Sequence, residues 1–165
     1  MKPGKAKPLT AEELISKYAD IVYRIAFSRL GNAPDAEDIT QEVFIKYIKA
    51  DMTFVDEDHR RKWLIRVTVN AVNSLAASAW RKRTAPLEEA EDISVEEDSG
   101  EAMDIRQAME KLPEKYRTPI HLFYYEDMTI HQIAQAMDSS EGTIKSLLSR
   151  GRSKLRELLG EDLYD

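Results

Sequence analysis

The chain has 165 residues, of which 42% are apolar, enough for one domain of ordinary size or two small ones joined by a linker. It holds no cysteine, which excludes disulfides, thiolate zinc sites and iron-sulfur clusters. Its longest uncharged runs, such as Val67 to Trp80, fall short of the roughly 20 apolar residues that span a bilayer. The start, Met1-Lys2-Pro3-Gly4-Lys5, lacks the apolar core of a signal peptide, so a cytoplasmic location is the expectation. The net charge of −6 hides an uneven distribution. Residues 1–85 carry 15 basic and 11 acidic groups, residues 86–105 carry 9 acidic groups and no basic ones, and residues 106–165 carry 9 basic and 10 acidic groups.

Three helices are legible before the acidic stretch. Thr10-Ala-Glu-Glu13 has the form of a capping box, and after it Leu14, Tyr18, Ile21, Val22, Ile25 and Ala26 recur at helical spacing as far as Gly31. A second helix is expected to begin near Asp35 as its cap, with Ile39, Val43, Phe44, Tyr47 and Ile48 inward and Glu37, Asp38, Gln41, Glu42 and Lys46 outward. The third runs from about His59 to Arg83, with Trp63, Leu64, Val67, Ala71, Leu75 and Ala79 able to face a core. Its ends are basic, through Arg60-Arg61-Lys62 and Arg81-Lys82-Arg83.

The segment 86–104 combines dense like charge with few large apolar groups and is expected to be a flexible acidic linker, either a plain tether or a shield for a basic surface. Four shorter helices follow. Ile105, Ala108, Met109 and Leu112 share one side of a helix that Pro113 ends; Tyr116, Ile120, Phe123 and Tyr124 mark the next, with Pro119 as a kink or a late start. Thr129-Ile-His-Gln132 is a second capping box, opening a short helix with Ile133, Ala134 and Met137 inward. After a break at Asp138 to Gly142, the last helix begins near Ser140 and buries Ile144, Leu147 or Leu148, Leu155 and Leu158. No useful length alternates with period two, so the fold expected is all-α: two small helical domains, 1–85 and 105–165, joined by the acidic linker.

The last two helices have the proportions of a helix-turn-helix, whose second helix lies in the DNA major groove. Thr143 to Arg156 holds five cations and no anion, where phosphate attraction would be needed. The third helix offers a second surface: Phe54 and Trp63 bracket Arg60-Arg61-Lys62, and Asn70 and Asn73 follow, a mixture suited to unstacked single-stranded bases unless Trp63 belongs to the core. Catalysis finds little support. None of His59, His121 and His131 has a glutamate three residues before it, as a di-metal bundle requires, and the histidines are expected at helix surfaces or edges. His-Glu-x-x-His, P-loop, Gly-x-Ser-x-Gly and Gly-x-Gly-x-x-Gly motifs are all missing, so no cofactor and no small-molecule substrate are expected.

Taken in order, the motifs resemble bacterial RNA polymerase sigma factors. Asp35-Ala-Glu-Asp-Ile-Thr-Gln-Glu-Val-Phe44 resembles their core-polymerase-binding motif, and Trp63-Leu-Ile-Arg-Val-Thr-Val-Asn70 their promoter-melting helix. Leu112-Pro113, Met128 to Asp138 and Glu141 to Arg156 resemble their C-terminal domain. With two helical domains and a short linker, the chain is similar to the extracytoplasmic-function (ECF) subgroup of the sigma-70 family. The resemblance implies that Asp35, Asp38, Gln41, Glu42 and Phe44 contact the clamp helices of the largest subunit of core RNA polymerase. It implies that Phe54, Trp63, Asn70 and Asn73 hold flipped bases of the minus-ten element while Arg60, Arg61, Lys62 and Arg66 hold its backbone. Thr143, Lys145, Ser146, Ser149 and Arg150 would read the minus-thirty-five element as duplex. An anti-sigma factor is the further partner implied. Leu147 stands where members often have arginine, so one DNA contact is expected to be missing, and Pro119 falls in a helix that is usually unbroken. The alternative is a free-standing helix-turn-helix regulator that binds duplex DNA without polymerase.

Overall fold

The structure, a computed structural model, describes residues 5–83 and 104–160, with the side chains of 79–83 outside that description. The expected linker therefore lies outside the described residues except for Asp104, and the side chains of Ala79, Arg81, Lys82 and Arg83 lie outside the description as well. Among the described residues every regular element is a helix, and none is long and apolar enough to cross a membrane.

Helix α1 (Ala11–Leu30) is opened by the Thr10–Glu13 capping box and closed at Gly31, whose φ of 74° is the left-handed conformation that glycine adopts without a Cβ penalty. Helix α2 (Ala33–Ala50) starts earlier than expected. Asn32 is its cap and accepts from the Asp35 amide, while Pro34 lies in the first turn, where no amide hydrogen is needed. Helix α3 (Glu57–Arg83) begins two residues ahead of His59. In the second half, α4 (Ile105–Lys111) is opened by an unforeseen capping box between Asp104 and Gln107. Helix α5 (Glu114–Tyr124) carries Pro119 in its interior, so the proline marks no late start; it leaves the carbonyl one turn back without its usual donor. Helix α6 (Ile130–Met137) is capped by Thr129 as expected, and α7 (Glu141–Leu159) by Ser140.

The first three helices form one bundle. Leu14, Tyr18, Val22 and Ile25 of α1 meet Ala36, Ile39 and Val43 of α2 and Leu64, Ile65, Val69 and Val72 of α3. Ile48, expected inward, is 61% exposed: at 100° per residue it lies two and a half turns from Ile39, on the opposite side of α2. The last four helices form a second bundle around Leu112, Tyr116, Ile120, Leu122, Ile133, Ile144 and Leu148. Ile105 and Tyr124 are exposed there although the period placed them inward, and Leu148, not Leu147, fills the core position. Gly151 lets α7 approach α5: a Cβ built on it would stand 3.0 Å from Ile120 Cγ1 and 3.2 Å from Tyr116 Cβ. The bundles also touch, α1 against α5 and α3 against α6.

Candidate nucleic-acid interface

Three surfaces carry the expected contacts. The first is the outer face of α2, where Asp38, Gln41 and Glu42 are exposed and Asp35 is half-buried, accepting from Asn32 Nδ2 at 2.9 Å. A shallow groove beside them is walled by Lys46 of α2 and by Ala71, Ser74 and Leu75 of α3. Phe44, grouped with these residues by its motif, is 8% exposed and belongs to the bundle core.

The second surface is α3, and here the structure divides the expected residues into two sets. Phe54, expected as a stacking platform, is 3% exposed; its ring stacks on Tyr47 at 5.7 Å between centroids and meets Trp63 and His59 edge to face. Arg60, expected on phosphate, is 1% exposed. Its guanidinium donates to Tyr47 Oη at 3.1 Å, to the Lys7 carbonyl and to the Glu57 carboxylate, and lies over the Phe54 ring. A buried guanidinium needs acceptors for its fork of donors, and these supply them. In this conformation Phe44, Phe54 and Arg60 are interior groups, closed to a partner. Lys62 and Trp63 are half-buried, and Arg66, Asn70 and Asn73 are exposed.

The third surface is α7. Asp138, with φ of 52°, turns the chain after α6, so the left-handed residue of the break is an aspartate, and Gly142 lies inside the first turn of α7. Ser140 accepts from the Thr143 amide at 3.1 Å. Ile144, Leu148 and Gly151 point into the bundle, which leaves Thr143, Lys145, Ser146, Ser149 and Arg150 exposed on the outer face.

The bundle contact contains residues that sequence reasoning missed. Glu126, at the end of the α5 turn, is 5% exposed. Burial pushes its carboxyl up, but the hydrogen bond from His121 and the pairing with Arg24 prevail and hold it below the usual glutamate range. His121 is buried too, against the surface position expected of it: Nε2 lies 2.8 Å from Glu126 Oε2, and its ring stacks on Tyr125. Nothing local in Tyr125-Glu126-Asp127 signals this, because Arg24 lies 102 positions away.

Residues 14–84 match the family description "Sigma-70 region 2", and residues 102–155 match "Sigma-70, region 4". ECF RNA polymerase sigma factor SigE of Mycolicibacterium smegmatis is 32% identical over 159 residues; the match covers 91% of this chain and 62% of the relative's length. ECF RNA polymerase sigma factor SigW of Bacillus subtilis is 29% identical over 168 residues, covering 89% of this chain and 87% of the relative. Among solved structures, the sigma factor RpoE of Bartonella quintana, crystallised with the anti-sigma factor NepR, shares the fold with a TM-score of 0.68 at 22% identity, covering 90% of this chain and 95% of that one.

Proposed function

The chain belongs to the sigma-70 family, in its ECF group, and from that premise we propose that it binds core RNA polymerase and directs promoter-specific initiation without catalytic activity of its own. The observation that carries the reading is the order of the parts: a region 2 match and a region 4 match in one chain, with acids outward on α2 and cations outward on α7.

The first bundle is read as the unit that docks on polymerase and opens DNA. Asp35, Asp38, Gln41 and Glu42 form an acidic helix face apt for a basic partner helix. Along α3, Lys62, Trp63, Arg66, Asn70 and Asn73 combine a ring, two cations and two amides for the minus-ten strand. Arg61 joins them only when freed from the Glu126 carbonyl, which its guanidinium now meets at 3.0 Å. Flipping a base costs a few kcal/mol, and stacking offsets about 1 to 3 kcal/mol per base, so binding energy alone suffices to hold bases out of the duplex. The second bundle is read as the minus-thirty-five reader, through Thr143, Lys145, Ser146, Ser149 and Arg150. An anti-sigma factor belongs to this reading as a further partner.

Reconstitution tests it. Core RNA polymerase mixed with the full chain should yield a stoichiometric complex that starts transcription at discrete sites, and mapping those starts gives both promoter elements. Asp38→Lys with Glu42→Lys should abolish co-purification while helicity stays intact. A chain that binds duplex DNA yet never retains polymerase would instead be a free-standing helix-turn-helix regulator.

A further inference from the structure

Ahead of α1, residues 5–9 form a short strap laid against the loop that joins α2 to α3, residues 51–56. The strap is tied down at two points. The Ala6 amide donates to the Phe54 carbonyl at 2.9 Å, and the Lys7 carbonyl accepts from the buried Arg60 guanidinium. Leu9, at its end, packs against the bundle core. Arg60 is itself fixed by Tyr47 and by Glu57, a carboxylate that also accepts from the Tyr18 hydroxyl and pairs with Lys17 at 3.1 Å.

The loop is held from its own side as well. Of its side chains only Phe54 is buried, and its neighbours Thr53 and Val55 face out, as alternation along an extended chain requires. The Val55 amide donates to His59 Nδ1 at 3.1 Å, and Asp56 Oδ1 accepts from the His59 amide at 2.8 Å. Those two bonds fix the end of the loop that enters α3, whereas the strap fixes the Phe54 carbonyl.

The tie matters because of what the Phe54 ring touches. It meets the Trp63 ring edge to face at 5.9 Å, and Tyr47 meets the same indole edge to face at 5.8 Å. Trp63 is half-buried, so these two rings hold it while part of it remains at the surface. A ring already held in one orientation loses little freedom when a base stacks on it, and the affinity gained that way comes from preorganisation without any new contact. The contacts run in unbroken series from the Ala6 amide to the Phe54 carbonyl, and from the Phe54 ring to Trp63.

We propose that residues 5–9 are a positioning strap for Trp63: they fix Phe54, Phe54 fixes the tryptophan, and the indole is thereby preset for an unstacked base of the minus-ten strand. The proposal rests on the sigma-factor reading for what Trp63 stacks upon, and on geometry alone for the strap.

Trp63 reports on this once the chain's other tryptophan is replaced by Trp80→Phe. In that background Ala6→Pro takes away only the amide that reaches Phe54, five residues ahead of α1, and removes no charge. In the free full-length protein it should raise the acrylamide quenching constant of Trp63 about twofold, from that of a half-buried ring toward that of an exposed one, with helicity by circular dichroism unchanged. With core polymerase the same variant should form about fivefold fewer open complexes on promoter duplex, the low end of what losing one stacked base costs, while its retention by polymerase stays that of the wild type. Deletion of residues 2–8, which leaves Leu9 and the Thr10 cap in place, should give both effects without introducing a proline. Lys5→Ala with Lys7→Ala keeps both backbone bonds and removes two exposed cations; it should stay within about twofold of the wild type in both measurements. Wild-type quenching of Trp63, or a wild-type yield of open complex, in both strap variants would overturn the proposal. So would a lysine double variant as defective as Ala6→Pro, which would make the segment a phosphate contact. Failure of the functional reading looks different: the wild type would not initiate with core polymerase, while Ala6→Pro would still raise the quenching of Trp63.

Discussion

Replacing Arg60 with alanine separates a structural role from a DNA-contact role, because the two predict opposite pairs of results. The side chain is buried, with a guanidinium on Tyr47, Lys7 and Glu57 and a stem beside the Phe54 ring. Removing two methylenes, Cγ and Cδ, from a packed site costs about 1.6 kcal/mol at ~0.8 kcal/mol each. Leaving the Tyr47 hydroxyl and the Lys7 carbonyl without their charged donor adds about 1 to 3 kcal/mol. The Glu57 arm adds little, because that carboxylate is 42% exposed and screened by water. The total, about 3 to 5 kcal/mol, is a large fraction of the 5 to 15 kcal/mol typical of a whole protein. At roughly 2 to 4 °C per kcal/mol for a chain of this size, Tm should drop by about 10 °C, followed by circular dichroism. Arg60→Met, which keeps most of the stem, should recover about half of that loss. An Arg60→Ala protein with wild-type Tm and weakened minus-ten DNA binding would refute the buried placement and return the guanidinium to the phosphate backbone.

Further outcomes follow from the same structure. Gly151→Ala gains about 1 kcal/mol of helix propensity but forces a methyl to within 3.0 to 3.2 Å of Ile120 and Tyr116, at about 1 to 3 kcal/mol, so urea unfolding should show a net loss of roughly 1 kcal/mol. Gly142→Ala is the control: its Cβ would find only Ser140 Oγ at 3.9 Å, and stability should rise by up to ~1 kcal/mol; equal gains at both positions would refute the close approach of α5 and α7. Lys145→Ala and Arg150→Ala should each reduce the slope of log affinity against log salt by about 1 on promoter duplex, if each holds one phosphate. For Glu126 the sign is that of a depressed acid: its contribution is fully present above the unfolded value, about 4.3, and is lost as pH falls through the lower folded value. Thermal unfolding of the wild type should therefore show Tm falling as pH drops into the acid range, and Glu126→Gln should flatten that fall.

Local signals gave the sequence its reach. Two of the capping boxes, at Thr10 and Thr129, and the stop at Gly31 were readable because each depends on residues three or four apart. The α2 start was misplaced because Asn32 and Asp35 are both good caps, and only geometry shows that Asn32 accepts the Asp35 amide. Composition pooled the basic residues of α3, whereas period could have separated them: Arg60 stands four positions before Leu64 and eight before Thr68, both buried, so its face is the core face. Phe54 offered no such clue, as it precedes the helix and is fixed by Tyr47 and Trp63.

With Phe54 and Arg60 drawn inward, the remaining residues on α3 are Lys62, Trp63, Arg66, Asn70 and Asn73; Lys62, Arg66, Asn70 and Asn73 are three to four positions apart and Trp63 flanks them, which makes one stripe along the helix. A single stripe is a better template for one extended strand than the scattered set that composition suggested, since successive nucleotides can follow the helix axis. It is also a surface that a second body can cover from one end. The packing of α6 against α3 leaves Lys62 and Trp63 half-buried along a cleft, while Arg66, Asn70 and Asn73 stay exposed. That packing is accompanied by an ion pair between positions 24 and 126, a relation of long sequence separation that no periodicity or cap encodes.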